Sequence, residues 1–399
     1  MKEKLGYKEF VTIMALIVSI TALSIDMMLP ALPDIGGDLG INHPNDAQLV
    51  VSSLLFGFGI GQLIFGPLSD CFGRKPIIFT GILIFVLGCF MSVVSTRFEL
   101  MLAGRFIQGI GASGPRTAII ALVRDLYGGR AMARIMSVIM AVFIFVPAVA
   151  PALGQIILVV ANWRAIFYIL ILQSLLTLTW FCIRQPETLH KQDRLPFSLK
   201  RILKGFFDVV TNRISVGYTL AAGFMSGGLF AYLNSAQQVF QGVYGLGKEF
   251  PVYMAFLSLS LGGASFLNSR IVMRLGMRTL SWRAVTLFVF TGIIYLVVTI
   301  TQDGHSPLWF MMTCFFISFF CMGIIFGNQN AIAMEPLSHV AGVGAALVGC
   351  VSSLLSSFMG MIVGRFFDGT TTPLGIGFVI MGLLTASAMY WADMSPKRL

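Results

Sequence analysis

Apolar stretches long enough to cross a bilayer recur from one end of this 399-residue chain to the other, and nothing else in the sequence limits its fold so strongly. A hydrocarbon core of about 30 Å needs roughly 20 helical residues at about 1.5 Å each. Twelve stretches meet that length: about 9–31, 47–68, 76–95, 99–121, 132–157, 165–184, 214–240, 250–270, 280–300, 307–333, 341–364 and 374–394. Inside a bilayer the backbone must satisfy its own hydrogen bonds. The expectation is therefore an all-α membrane protein with twelve transmembrane helices. Charge supports it: 11% of residues are charged, against roughly 25% in soluble domains.

The net charge of +10 invites a nucleic-acid reading, but its placement opposes one. Alternate loops carry Lys2, Lys4 and Lys8, then Arg74 and Lys75, then Arg124, Arg130 and Arg134. The segment around Lys200, Arg201 and Lys204 follows, then Arg270 to Arg283, and finally Lys397 and Arg398. The opposite loops offer only Arg97, Arg164, Lys248 and Arg365. Such an asymmetry is the positive-inside pattern, which places both termini in the cytoplasm. The first apolar stretch is too long for a signal-peptide core, and "LPALPDI" ends it without a cleavage site. Five of the six cysteines lie within spans and Cys71 in an inner loop, so neither a disulfide framework nor metal spacing is visible.

The longest polar segment runs from Arg184 to Arg213. It divides the chain into an N-terminal six-helix bundle, 1–184, a cytoplasmic linker, 185–213, and a C-terminal six-helix bundle, 214–399. Within it, "SLKRILKGFFDVV" has apolar residues at helical spacing, as a helix lying on the inner membrane surface would. A midpoint linker suits two halves of like design. "GPLSDCFGRKPII" after the second span and "SRIVMRLGMRTL" after the eighth align Gly73 with Gly276, Lys75 with Arg278 and Gly66 with Ser269. Asp70 then falls opposite Met273.

The span interiors hold few ionisable residues, the clearest being Asp26, Arg105 and Arg116; Asp125 and Glu335 lie near span ends. Intramembrane charges are costly and mark function by default; a structural ion pair is the alternative. Asp26 and Arg105 stand at similar depth, roughly 7–9 Å from the same side, with Arg116 about 16 Å deeper. A carboxyl group in low dielectric is held between desolvation, which disfavours its charge, and a nearby guanidinium, which favours it. That balance can load a proton on one side and release it on the other. Arginine keeps its charge and so tunes without carrying. The expected roles are Asp26 as proton carrier and Arg105 as its tuner, with Arg116 a second membrane charge.

"RFIQGIGASGPR" contains G-x-G-x-x-G, but within a span, not between a strand and a helix in water, so a nucleotide site is not expected. Gly104, Gly109, Gly111, Ala112 and Gly114 fit close helix packing in lipid instead. "FGFGIGQLIFG" does the same on the second span, and Pro147 and Pro151 should bend the fifth.

"GPLSDCFGRKP" resembles the loop motif of the major facilitator superfamily, "RFIQGIGAS" its fourth-helix motif and "PAVAPALGQ" the fifth-helix motif of its antiporters. "SIDMMLPALPDI", "VRDLYGG", "NWRAIFYI", "PETL" and "AMEPLSHVAGVGAAL" are similar to its Bcr/CflA-type drug:proton antiporters. The resemblance implies two six-helix bundles, alternating access, and export of drugs such as chloramphenicol and bicyclomycin, or of metabolites, in exchange for protons. It assigns Asp26 and Arg105 to proton coupling, Gly66, Asp70, Gly73, Arg74 and Lys75 to the gating loop, and Pro147, Pro151 and Gly154 to the antiporter-motif helix bend. Two positions depart from the pattern: Cys71 stands where a basic residue is usual, and Gln155 replaces the second glycine of the fifth-helix motif.

A cavity near the midplane between halves would take the cargo. Tyr232, Asn234, Gln237, Gln238, Asn328, Gln329 and Asn330 are candidates to line it, unless their amides serve only to join helices; Phe230 would add aromatic surface. The expected function is a proton-coupled exporter of small, amphipathic drugs or metabolites, monomeric, in a bacterial inner membrane. A dedicated exporter of one metabolite, such as a siderophore or amino acid, is the alternative. No enzyme signature, Walker loop or metal cluster is visible, so no cofactor beyond the proton gradient is expected.

Overall fold

The computed structural model describes residues 6–41, 43–194, 196 and 198–394. Lys2, Lys4, Lys397 and Arg398 lie outside them. The described residues form helices and no strands. The first span begins as α1 (Tyr7–Asp26), passes through a 3-10 turn at Leu29–Ala31 and continues as α2 (Leu32–Asp38). "LPALPDI" therefore interrupts the helical path without ending it. Pro30 and Pro33 sit in the first turns of the two short helices, where a backbone N–H has no intrahelical partner to lose.

The next long helices are α3 (Leu49–Phe72), α4 (Arg74–Val93), α5 (Phe98–Leu126), α6 (Gly129–Val160) and α7 (Arg164–Arg184). A short helix, α8 (Leu199–Thr211), lies within the polar segment. Then come α9 (Arg213–Gln237), α10 (Phe250–Leu275), α11 (Met277–Thr301), α12 (Leu308–Met334), α13 (Ala341–Arg365) and α14 (Thr372–Asp393). A π-helical turn, Gln238–Val243, prolongs α9. Among the described residues eleven helices are long and apolar enough to cross a membrane, and Phe145–Val160 within α6 is a further apolar stretch. The helix itself runs unbroken through Pro147 and Pro151.

Several helices outrun their apolar stretches. α3 and α10 continue through polar residues to Phe72 and Leu275 and stop only at Gly73 and Gly276. Hydrophobicity ends where water begins, but a helix ends where its backbone is turned aside. Both glycines have positive φ (106° and 79°) with extended ψ, a region essentially closed to other residues.

The chain forms two compact units, Met1–Ile41 with Ser53–Ile202 and Asn42–Ser52 with Leu203–Leu399. In the first, α4 packs on α5 and α7, and α1 on α5, α6 and α7. In the second, α11 packs on α12 and α14, and α9 on α12, α13 and α14. Counted in chain order over the long helices from α1 and from α9, these are the same pairings. Glycine permits the tightest approach: a methyl group at Gly57 would strike the Phe106 carbonyl, and one at Gly109 the Leu54 carbonyl. α3 and α5 thus meet backbone to backbone, as small residues allow in lipid. Large apolar side chains such as Leu87, Phe90, Leu172, Leu176 and Phe290 are exposed on helix faces, as lipid contact requires.

Candidate functional site

Asp26 is the last residue of α1 and is buried. α1 ends there because the chain enters the proline-bearing turns, leaving its last carbonyls without helical partners. Arg105, fully buried on α5, takes one of them: its Nη2 donates to the Ser24 carbonyl at 2.9 Å. Its Nη1 donates to Gln108 Oε1 at 2.6 Å, and Gln108 Nε2 lies 3.0 Å from Cys89 Sγ on α4. The guanidinium also stands 5.9 Å from the Phe167 ring of α7. Arg105 therefore binds α1 two residues before the acid. Among the described residues no ion pair within 4.0 Å includes the Asp26 carboxylate.

Gln108 and Cys89 were not singled out from sequence. The i,i+3 spacing of Arg105 and Gln108 in "RFIQG" was the available signal for one of them; nothing local marks Cys89. Arg116 is eleven residues further along α5, three turns and about 16 Å away on nearly the same face, and it is half-buried. At the residue after Asp26, α6 presses against the turn: a methyl at Gly154 would strike the Met27 carbonyl. Of the antiporter-motif prolines, Pro151 is buried and Pro147 half-buried.

The loop between α3 and α4 is built around Arg74, of which only 3% is exposed. Its Nη1 meets Asp70 Oδ1 at 2.7 Å and Ser69 Oγ at 3.0 Å, while Nε meets Asp125 Oδ2, at the end of α5, at 2.9 Å. Lys75 Nζ donates to the carbonyls of Cys182 and Gln185, both at 2.7 Å, closing the C-terminal end of α7. Glu187 of "PETL" accepts from the Arg74 and Lys75 amides at 3.0 and 3.1 Å. It fills the anion site that the start of α4 offers. Gly73 is needed twice, for its positive φ and because a side chain there would strike the Glu187 carboxylate. Gly66 is buried on α3, and Cys71 is half-buried.

The amide candidates are scattered. On α9, Asn234 is fully buried; it accepts from Ser52 Oγ at 3.1 Å and donates to the Phe230 carbonyl at 2.9 Å. Gln237 donates to Gln241 and Gln238 to Asn45. Tyr232 lies edge-on to Phe240, Phe315 and Phe319. On α12 three consecutive residues turn three ways. Asn328 exchanges two 3.0 Å bonds with Asn268 of α10, Gln329 reaches Met389 of α14 at 3.5 Å, and Asn330 is exposed, donating to the Phe326 carbonyl. Helical steps of about 100° forbid neighbours a common face. Among the described residues no three histidine, cysteine or carboxylate groups gather as a metal site would require.

Comparison with known proteins joins these observations. The chain is 32% identical over 371 residues to a bicyclomycin resistance protein homolog of Haemophilus influenzae, covering 92% of this chain and 91% of that protein. It is 28% identical over 384 residues to the multidrug resistance protein MdtL of Shewanella oneidensis, covering 93% of each. The xylose transporter XylE from E. coli, solved in a partially occluded inward-open conformation, shares the fold with a TM-score of 0.75 at 14% identity, over 98% of this chain and 99% of that one. The family model of the Major Facilitator Superfamily matches residues 14–361. The chain is a multi-pass membrane transporter, not an enzyme, and it belongs to the Major Facilitator Superfamily.

Proposed function

We propose that this protein is a proton-coupled antiporter that exports small, amphipathic drugs or metabolites across a bacterial inner membrane by alternating access. The observation that carries the reading is the setting of Asp26. A carboxyl group is buried at the end of α1, with Arg105 fixed to the Ser24 carbonyl beside it and α6 closing on Met27 through Gly154. An acid so placed costs too much to keep for packing alone. Arg105 supplies positive potential without fixing Asp26 in an ion pair within 4.0 Å, so the acid can exchange its proton without first breaking such a contact. Arg74, Asp70 and Asp125 act as the gating-loop cluster, with Lys75 and Glu187 holding the loop to the end of α7. The charge asymmetry of the loops supports cytoplasmic termini. The resistance proteins among the relatives support drugs as cargo.

In vesicles reconstituted with purified protein and given an imposed pH gradient, Asp26→Asn is expected to reduce gradient-driven drug movement to background. Downhill exchange of the same drug should continue. Unchanged gradient-driven transport by this variant would remove Asp26 from the coupling.

A further inference from the structure

We propose that α8 is an anionic-lipid-binding helix, lying in the headgroup region of the inner leaflet with one apolar edge in the acyl boundary and Lys200 and Lys204 against lipid phosphates. Three of its arcs differ in what they face. Gly205 and Val209 face protein: both are buried, and a methyl at Gly205 would strike Val343 of α13. Leu203, Phe207 and Val210, at i, i+4 and i+7, form a strip on a second arc and are 57%, 64% and 60% exposed. Lys200 and Lys204, both exposed, border that strip on the side away from the protein contact. Successive steps of about 100° put Lys200 some 60° and Lys204 some 100° from Leu203, with Gly205 and Val209 on the far side.

Position decides what covers the strip. Only Asn212 separates α8 from the first residue of α9, a span. The end of α8 therefore lies at the membrane surface, and by the loop charges that surface is the inner one. An apolar strip flanked by lysines at that depth matches the acyl–headgroup boundary of a leaflet carrying anionic lipid. Water would leave three large apolar side chains solvated. A protein partner would have to enter the headgroup layer to reach them.

The test uses the full-length transporter in nanodiscs, with a fluorophore on F207C after the half-buried thiols are removed by C71S and C182S. At equal low mole fraction, brominated phosphatidylglycerol should quench more than brominated phosphatidylcholine, with local enrichment of at least about fivefold, the preference one lysine confers. K200Q/K204Q should bring the two lipids to parity while quenching by lipid persists. Equal quenching by both lipids before the lysines are changed would overturn the headgroup assignment. Quenching by aqueous iodide without quenching by lipid would overturn the membrane contact. Protection from both would mean that protein, such as a second copy of the chain, covers the strip.

Discussion

The loop after α3 and the loop after α10 begin from the same backbone and end in different chemistry. Each closes a long helix at a glycine in the same rare conformation, Gly73 and Gly276, and opens the next helix at once. In the first loop Arg74 is buried between Asp70 and Asp125, and Lys75 separately closes the end of α7. In the second, Arg278 alone reaches the ends of both corresponding helices, Glu335 after α12 at 3.5 Å and Asp393 of α14 at 4.0 Å. Its side chain is 47% exposed, against 4% for Arg74. Where the first loop has Asp70, the second has Met273, 88% exposed. The two loops share a backbone device and differ in their charge networks. A glycine turn is fixed by conformation, whereas an ion network also depends on what surrounds it.

The largest contrast should come from the two arginines. Arg74→Ala removes the cation between two acids and leaves them facing each other. A loss of about 2–4 kcal/mol is expected, somewhat below a fully buried pair because Asp70 and Asp125 keep some contact with water. Arg278→Ala removes two long, exposed contacts and should cost about 0–1 kcal/mol. Denaturant unfolding of the two variants in the same detergent measures both. Equal losses would mean that burial does not distinguish the two arginines.

A smaller effect separates the glycines. Gly73→Ala and Gly276→Ala each force alanine into a region that costs about 1–3 kcal/mol. At Gly276 a methyl meets nothing within 4 Å, so the backbone cost should be the whole. At Gly73 it also displaces Glu187, and the loss should exceed that at Gly276. Equal losses in thermal unfolding would show that Glu187 moves aside freely.

Much of this was legible in the sequence, for a specific reason. A span announces itself by a run of apolar residues, and the alignment of Gly73 with Gly276 anticipated a shared turn that the backbone angles display. Helix ends were less legible: counting apolar residues halts at the polar Ser69 and Asp70 of "GPLSDCF", while the helix continues to Phe72. Pairings between distant helices were not legible at all. Asn268 and Asn328 are 60 residues apart and meet because α10 packs on α12. Cys89 reaches Gln108 only because α4 and α5 approach through Gly88, Gly104 and Gly111. Depth along a helix can be counted from sequence, and the count sets Asp26 and Arg105 at one level. Rotation about the helix cannot, and rotation sends Arg105 to the Ser24 carbonyl.

Glu187 offers the finest test of the comparison, because the second loop shows no such acid: among the described residues no side chain accepts from the Met277 or Arg278 amide. Glu187→Gln keeps the shape and one acceptor oxygen but removes the charge facing the start of α4. The expected loss is about 0.5–1.5 kcal/mol, combining the dipole contribution with the weakening of two charge-assisted bonds. Part of that loss should disappear at high salt, since the Glu187 side chain is not fully enclosed. Measured in a Gly73→Ala background, where Glu187 is already displaced, the same substitution should cost nearly nothing. An undiminished cost there would mean that Glu187 stabilises its own segment, through the Thr188 and Leu189 amides it also accepts from, and not the loop. The first loop would then be held by Arg74 and Lys75 without Glu187, and the contrast between the two loops would rest on their cations and on Asp70 standing where the second has Met273.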